Sequence, residues 1–487
     1  MAEVTDRPGS GNNSWELPSK TLPAVETREL PEPRSLAKYV GASVIITATA
    51  MGSGESILWP YITSQVGVGL LWLAAVGFFM QYILNMEIER YTLATGETAV
   101  TGFSRFWKPW GIIFALGAIL PNAWPGWAAS AATAITFIFN LGEGAVPWIA
   151  AAQLWAIALA VTAAPVVYQV LEKVQFVLLA IIIVFVILAI IIATDAGSWG
   201  RVITKAPETF TNAPRWFSEL GAATVLGAIA FAGAGGANNL VQSNYIRDKG
   251  MGMGINIPNI VSPITGEEVA TPSTGYTFPL DEENERRWRG WWKIANTEQL
   301  ITFFAIGLAL LIALSVLVNS TIGIREQVGT DLAFIQEEAQ ALGNIIGGWF
   351  QFFFLAAVAI MLFSTNVGIV DYTSRLTADT LKTGYLARSQ FWSESKIYLA
   401  VVWLMTLGGT AVLLAGLNAP IVLLVVSAAG GGVVMALYSV MLIVLNRRAL
   451  PEMCKLKGWR LPAMVVTAVF FLFFSGLLIW DLATSGL

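Results

Sequence analysis

Thr47-Ala48-Thr49-Ala50-Met51-Gly52-Ser53-Gly54-Glu55-Ser56-Ile57-Leu58-Trp59-Pro60 is an apolar stretch interrupted at its centre by two glycines, a serine and a carboxylate. Glycine costs about 1 kcal/mol relative to alanine inside a helix, and a charge at bilayer depth costs about 2.5–3.5 kcal/mol or more. Such a segment makes a poor continuous helix. A second stretch, Ala230-Phe231-Ala232-Gly233-Ala234-Gly235-Gly236-Ala237-Asn238-Asn239-Leu240-Val241-Gln242, gathers glycines and amide side chains in the same way. Glycines at helix contacts often serve only close packing. Packing accounts for neither Glu55 nor the paired amides Asn238 and Asn239.

The surroundings of both stretches are those of a membrane protein. Of 487 residues, 56% are hydrophobic and 12% charged, about half the charged share of a soluble domain. Apolar runs of the length needed to cross a bilayer recur along the chain. Spans are expected at roughly 39–66, 68–88, 110–140, 148–170, 175–195, 219–245, 297–318, 346–370, 397–416, 420–445 and 461–482, which makes an all-α polytopic protein with about 11 transmembrane helices. Leu417-Asn418-Ala419-Pro420 supplies the turn that divides a charge-free run too long for one helix.

The basic residues orient these spans. With the N-terminus cytosolic, 19 Lys and Arg fall in cytosolic loops and 4 in outer ones, while the tail 1–38 holds the remainder. That asymmetry follows the positive-inside rule and puts the C-terminus outside a cell (plasma or inner) membrane. The tail, polar and rich in Pro and Glu, reads as disordered or lying on the cytosolic surface. Residues 247–296 form the largest cytosolic loop, and Arg286-Arg287-Trp288-Arg289-Gly290-Trp291-Trp292-Lys293 suits an interfacial helix or a basic juxtamembrane anchor. Residues 331–344 read as a short amphipathic helix on the outer surface. Glu87 and Glu89 end the second span beside Arg90, where a surface ion pair is expected.

The two interrupted segments are spans 1 and 6, five helices apart. Because five is odd, two sets of five would run in opposite directions, and matching interruptions in inverted halves point to a transporter's midplane site. Backbone unwound there would meet a substrate rather than lipid.

Several motifs carry a resemblance to a known family. Span 1 is followed by Gly69-Leu70-Leu71-Trp72, span 2 closes on Glu89-Arg90-Tyr91-Thr92-Leu93-Ala94-Thr95-Gly96, and span 6 holds Asn239-Leu240, Ser243 and Arg247. From about residue 39 to 445 this layout resembles the Nramp family of divalent-metal transporters. The resemblance implies a LeuT-like fold of two inverted five-helix repeats (39–195 and 219–445, the loop 247–296 inserted in the second) with one additional helix at 461–482. The metal-site motifs depart from the family. Its Asp-Pro-Gly-Asn of span 1 falls on Gly52-Ser53-Gly54-Glu55, and its Met-Pro-His-Asn of span 6 on Gly236-Ala237-Asn238-Asn239. Where the family places span-3 carboxylates, this chain has Pro121, Asn122, Trp124, Pro125 and Trp127.

What remains is an oxygen-only donor set. Gly52, Ser53, Glu55, Gly235, Gly236, Asn238 and Asn239 are the expected substrate or ion site, with Glu55, Asn238 and Asn239 as metal ligands. Asn122, Trp124, Gln242 and Asn366 are candidates for the cavity wall; for Trp59, Trp124 and Trp127 an interface or packing role competes, and for Asn366 a helix–helix hydrogen bond. Carboxylate, carbonyl and water suit hard cations, and glycine in place of Asp and Met leaves room for a partly hydrated ion. The expected cargo is Mn²⁺ or Mg²⁺, with a small organic cation or zwitterion, or a transport-dead sensor, as alternatives. No resident cofactor is called for, and nothing suggests a nucleic-acid partner. An enzyme is disfavoured, since the chain has no histidine and a single cysteine, Cys454, from which to build a catalytic pair. Without histidine an extended proton relay is also hard to draw. Either Glu55 itself carries the coupling proton, or transport is uncoupled.

Overall fold

A computed structural model of the protein describes residues 15–485 apart from 165, 213–215, 217–218, 261–273, 326–331 and 417–419. Among the described residues, nine helices are long and apolar enough to cross a membrane: Val68–Thr95, Trp110–Phe139, Glu143–Ala163, Val167–Ala193, Glu282–Thr321, Gly348–Gly384, Glu394–Leu414, Leu424–Arg448 and Arg460–Trp480. They coincide with expected spans 2–5 and 7–11, and those numbers are kept below. The turn expected at 417–419 lies outside the described residues.

Spans 1 and 6 are the exceptions, and their sequences explain why. Span 6 breaks into Ala222–Ala230, Gly236–Leu240 and Gln242–Asp248. Gly233, Gly235 and Gly236 take φ of 112°, 69° and 56° at the break, a region closed to most side chains. Span 1 was expected to come apart in the same way, and it does not. Ala42–Ala50 passes into a π-helical segment, Met51–Leu58, and on into Trp59–Val66 without interruption. Widened turns of this kind are frequent at functional sites. Span 3 bends where Pro121 and Pro125 bracket Ala123 and Trp124, giving Trp110–Asn122 and Gly126–Phe139.

Small residues let the interrupted spans approach their neighbours. A Cβ on Gly54 would sit 1.5 Å from the Phe231 carbonyl oxygen, and one on Gly236 would sit 2.9 Å from the Cα of Gly431 in span 10. Span 8 lies along span 1 equally closely, with a Cβ on Gly368 falling 2.0 Å from Thr49 Oγ1. A helix, Ala333–Ile346, lies where an amphipathic outer helix was expected and buries Phe334, Ile335, Ala339 and Leu342.

On the side expected to be cytosolic, the disordered reading of the tail and the interfacial reading of the Trp-rich segment are corrected. Residues 15–35 form an ordered strap, in which Trp15, Leu17, Leu22 and Leu30 are buried and Glu26–Thr27 pairs in parallel with Tyr276–Thr277. Arg105 holds it by donating to the Pro18 and Pro23 carbonyls, each at 3.0 Å, while its other nitrogens pair with buried Glu97. The Trp-rich segment is not an interfacial helix. Glu282–Glu298 runs straight into span 7, Trp291 donates to the Pro31 carbonyl at 2.7 Å, and Trp288 and Trp291 are buried. Trp291 thus meets the strap, while Trp292 stacks on Trp288 and lies against Arg90 and Arg460.

Candidate ion-translocation site

Glu55 sits inside the π-helical segment with its side chain fully buried. Neither carboxylate oxygen has a hydrogen-bond partner among the described residues. The backbone N–H groups of Gly233 and of Glu55 itself are near it without reaching full hydrogen-bond geometry, so the one acid of span 1 faces the break in span 6. Leaving a buried carboxylate bare costs several kcal/mol.

The backbone around this acid is held by side chains from spans 2 and 8 and from span 1 itself. Gln81 of span 2 donates to the carbonyls of Ala230 (2.8 Å) and Ala232 (2.7 Å) and accepts from the Gly235 N–H (3.0 Å). One amide thus satisfies the polar groups that unwinding exposes, which lipid could not do. Thr365 of span 8 donates to the Thr49 carbonyl at 2.5 Å and accepts from the Gly52 N–H at 2.9 Å. Ser364 donates to the Ala48 carbonyl at 2.9 Å. Trp59 is wholly buried and donates to the Ala228 carbonyl at 2.9 Å, tying span 1 to span 6.

The expected site residues separate into groups. Gly52, Glu55, Gly235 and Gly236 flank the junction of spans 1 and 6; Ser53 lies in the π-helical segment, with its side chain outside the described residues. Asn238 and Asn239 follow the break and are buried, each with an unpartnered Oδ1. Asn239 donates to Asn85 Oδ1 of span 2 at 2.7 Å, which turns it toward spans 2 and 7. Asn122 donates to the Tyr372 hydroxyl at 2.7 Å and shares a cavity of about 20 Å³ with Trp127 and Asn366. That volume is about one water. Asn366 donates to Gln153 of span 4 at 3.3 Å, the helix–helix bond considered as its alternative role. Trp124 stays outside this enclosed group, 39% exposed in the bend of span 3, because the two prolines turn the chain outward there. Gln242 lies beyond the break, bonded to Glu89 at 2.8 Å and to Ser43 at 3.2 Å.

Sequence reasoning missed Gln81, Ser364, Thr365 and Gly431. It also misjudged Glu89, which is fully buried and accepts from Gln242 and Gln299 (2.7 Å) instead of joining a surface pair. Glu87 is the partner of Arg90, at 2.6 Å, and that pair is buried as well.

The sequence matches the Nramp family, described as natural resistance-associated macrophage protein-like, over residues 43–481. The chain belongs to the Nramp family. As a member it is a multi-pass membrane protein and a secondary transporter of metal ions, not an enzyme. Among solved structures, this Nramp-family chain is similar to a manganese transporter mutant from Eremococcus coleocola at a TM-score of 0.65 and 14% identity, covering 93% of this chain and 88% of that one. It is also similar to MhsT in complex with L-phenylalanine (TM-score 0.50, 16% identity, 92% and 99% covered). Mhp1, a nucleobase-cation-symport-1 transporter, matches at a TM-score of 0.50 and 15% identity, with 93% and 95% covered. These likenesses establish the LeuT-like fold. No curated protein matches the sequence. Among the described residues no three His, Cys, Asp or Glu side chains converge as a metal cluster, so an ion at the junction would meet one acid together with amides, carbonyls and water.

Proposed function

We propose that this Nramp-family protein carries a hard divalent cation, Mn²⁺ or Mg²⁺, by alternating access at the junction of spans 1 and 6, with Glu55 as its one acidic ligand and Asn238 and Asn239 supplying amide oxygens. The observation that carries this reading is Glu55 itself: a buried carboxylate with two unpartnered oxygens, set where one span widens and the other unwinds. A cation supplies the compensation that the protein withholds. Asn238 and Asn239 keep free carbonyl oxygens close behind the break. Oxygen donors favour hard ions over softer ones, and a single acid leaves most of the coordination to neutral oxygen and retained water, a habit of Mg²⁺. The two repeats at 39–195 and 219–445 would rock around this junction, the N-terminus facing the cytosol and the C-terminus the outside.

Uptake by protein reconstituted in liposomes tests the reading, with Mg²⁺, Mn²⁺, Ca²⁺ and Fe²⁺ offered in turn. Wild type is expected to move at least one of the hard ions, and Glu55→Gln to abolish that uptake while the protein stays folded. Undiminished uptake by Glu55→Gln would remove Glu55 from the mechanism.

A further inference from the structure

A second set of buried acids lies between Glu55 and the cytosolic face. Gln81, Asn85 and Glu89 recur every four residues and so share one face of span 2. Asn239 donates to both Gln81 (3.4 Å) and Asn85 (2.7 Å), Asn85 donates to Gln299 (3.5 Å), and Gln299 donates to Glu89 (2.7 Å). Gln242 then bridges Glu89 and Ser43, and Ser43 donates through its hydroxyl to Glu298 of span 7. Every side chain in this series is buried. It starts at the break in span 6 and ends at the first residues of span 1, where the Gly41 and Ser43 N–H groups donate to Glu298 at 3.4 and 3.2 Å.

Neither Glu89 nor Glu298 forms an ion pair with a described residue, and Oε2 of Glu89 has no partner. The charged groups nearby are engaged elsewhere. Arg90 and Arg460 approach Glu87 at 2.6 and 3.7 Å, and Lys249 pairs with Glu172 beside Gly41. Two anions would thus share a small buried volume, offset only at a distance by Arg460, whose direct contacts are Glu87 and Asn296. That is costly. A metal ion is a poor remedy. The groups aimed at these carboxylates are donors: two amide N–H groups at Glu89, and two backbone N–H groups with a hydroxyl at Glu298. Donors stabilise an anion and repel a cation. The two acids are served unequally. Glu298 has both oxygens satisfied, whereas Glu89 receives both of its bonds on Oε1 and leaves Oε2 bare. A proton fits that bare oxygen.

We propose that Glu89, with Glu298 as its anionic neighbour, is a proton-binding site separate from the cargo carboxylate Glu55. Glu89 takes a proton from water onto Oε2 and returns it to water when the cytosolic end of span 1 moves. Gln242 and Ser43 connect the two acids only while that end is seated, so unseating span 1 severs the link and opens the pair to solvent. The amides between Glu89 and Glu55 carry orientation, not protons. Coupling is therefore a matter of which conformation each site favours.

Two measurements test this, and the first is independent of transport. In lipid-reconstituted protein, infrared difference spectra across a pH titration are expected to contain a protonated-carboxyl band that Glu89→Gln removes. Glu89→Asp, which keeps an ionisable group, should retain a titrating band and guards against a folding defect in the amide variant. Absence of the band from wild type, its persistence in Glu89→Gln, or its displacement by Na⁺ at constant pH would overturn the assignment. The second measurement rests on the transport reading. Liposomes holding a pH dye are expected to report proton movement with Mn²⁺ or Mg²⁺ uptake in wild type, and loss of that movement with downhill uptake retained in Glu89→Gln. Uptake without proton movement in wild type would overturn the coupling. If wild type moves no cation at all, the transport reading fails and the infrared result still decides the proton site.

Discussion

Two buried regions of this protein hold acids, and they treat them in opposite ways. Where the C-terminal parts of spans 6 and 8 meet the N-terminal end of span 9, Arg247 reaches Asp379 (2.6 Å), Glu394 (2.8 Å) and Asp248 (3.1 Å), and Arg375 reaches Asp371 (2.9 Å) and Asp248. The Tyr245 and Tyr398 hydroxyls complete Asp371 at 2.9 and 2.7 Å, and Thr98 completes Asp379 at 2.6 Å. Nearer mid-chain depth, Glu55 has no hydrogen-bond partner among the described residues and Glu89 leaves one oxygen bare. A fold that can satisfy four buried acids with two guanidiniums is able to satisfy acids. Where it leaves them open, the cation and the proton proposed above would supply the missing charge.

Removing an arginine from the paired region gives the largest expected effect. Arg375→Met strips Asp371 of its cation and leaves Asp248 to Arg247 alone, and breaking a buried pair in this way costs about 3–5 kcal/mol. Thermal unfolding in lipid should fall accordingly, whereas Glu55→Gln should leave it unchanged or raised. Equal losses in both variants would erase the distinction between the two regions.

Gln81→Leu probes the scaffold of the open region. It leaves the Ala230 and Ala232 carbonyls and the Gly235 N–H without their partner, at about 1–3 kcal/mol for each group that finds no substitute. Uptake should drop with stability. A drop in stability with uptake intact would mean that the break in span 6 is not where the ion passes.

Smaller effects are expected outside the membrane, where the same contrast recurs. Glu97 is buried, which alone would raise its pKa, but Arg105, the Gly275 N–H and the Tyr91 hydroxyl together hold its carboxyl below the usual value. Its pairing therefore stabilises the native state at neutral pH, and that contribution is lost as pH falls through the lowered value. Acid should loosen the strap 15–35 first, read by proteolysis, and Glu97→Gln should make the strap weak at every pH. Glu338 of the outer helix is the opposite case. Burial pushes its carboxyl well up, and Oε1 has no partner. Ionising it costs stability, so the native state gains as pH falls through the raised value. Glu338→Gln should raise the unfolding temperature at mildly alkaline pH and change little in acid.

Much of this was legible in the residues themselves. Long charge-free runs placed the spans, and the glycines of 233–236 announced the break in span 6, because most other residues are strained at positive φ. Gly52-Ser53-Gly54 gave the same signal and produced a different outcome, a π-helical widening, since Thr365 and Ser364 caught the backbone that would otherwise have unwound. The recurrence of Gln81, Asn85 and Glu89 was equally visible, yet Glu89 was assigned to its sequence neighbour Arg90, which bonds Glu87 instead. The strap was hidden by its polarity. Its few apolar residues, Trp15, Leu17, Leu22 and Leu30, find their cover on segments more than 80 residues away.

By itself, the sequence determined that the chain crosses the membrane many times, where its helices weaken, and that one acid lies in the weakest part, and its charge bias set an expected orientation. These are local properties, set by transfer cost, backbone freedom and charge counted along the chain. The tertiary structure decided which acids are paired and which are left open. Pairing depends on partners from other spans arriving at hydrogen-bond distance, and no local pattern encodes that arrival.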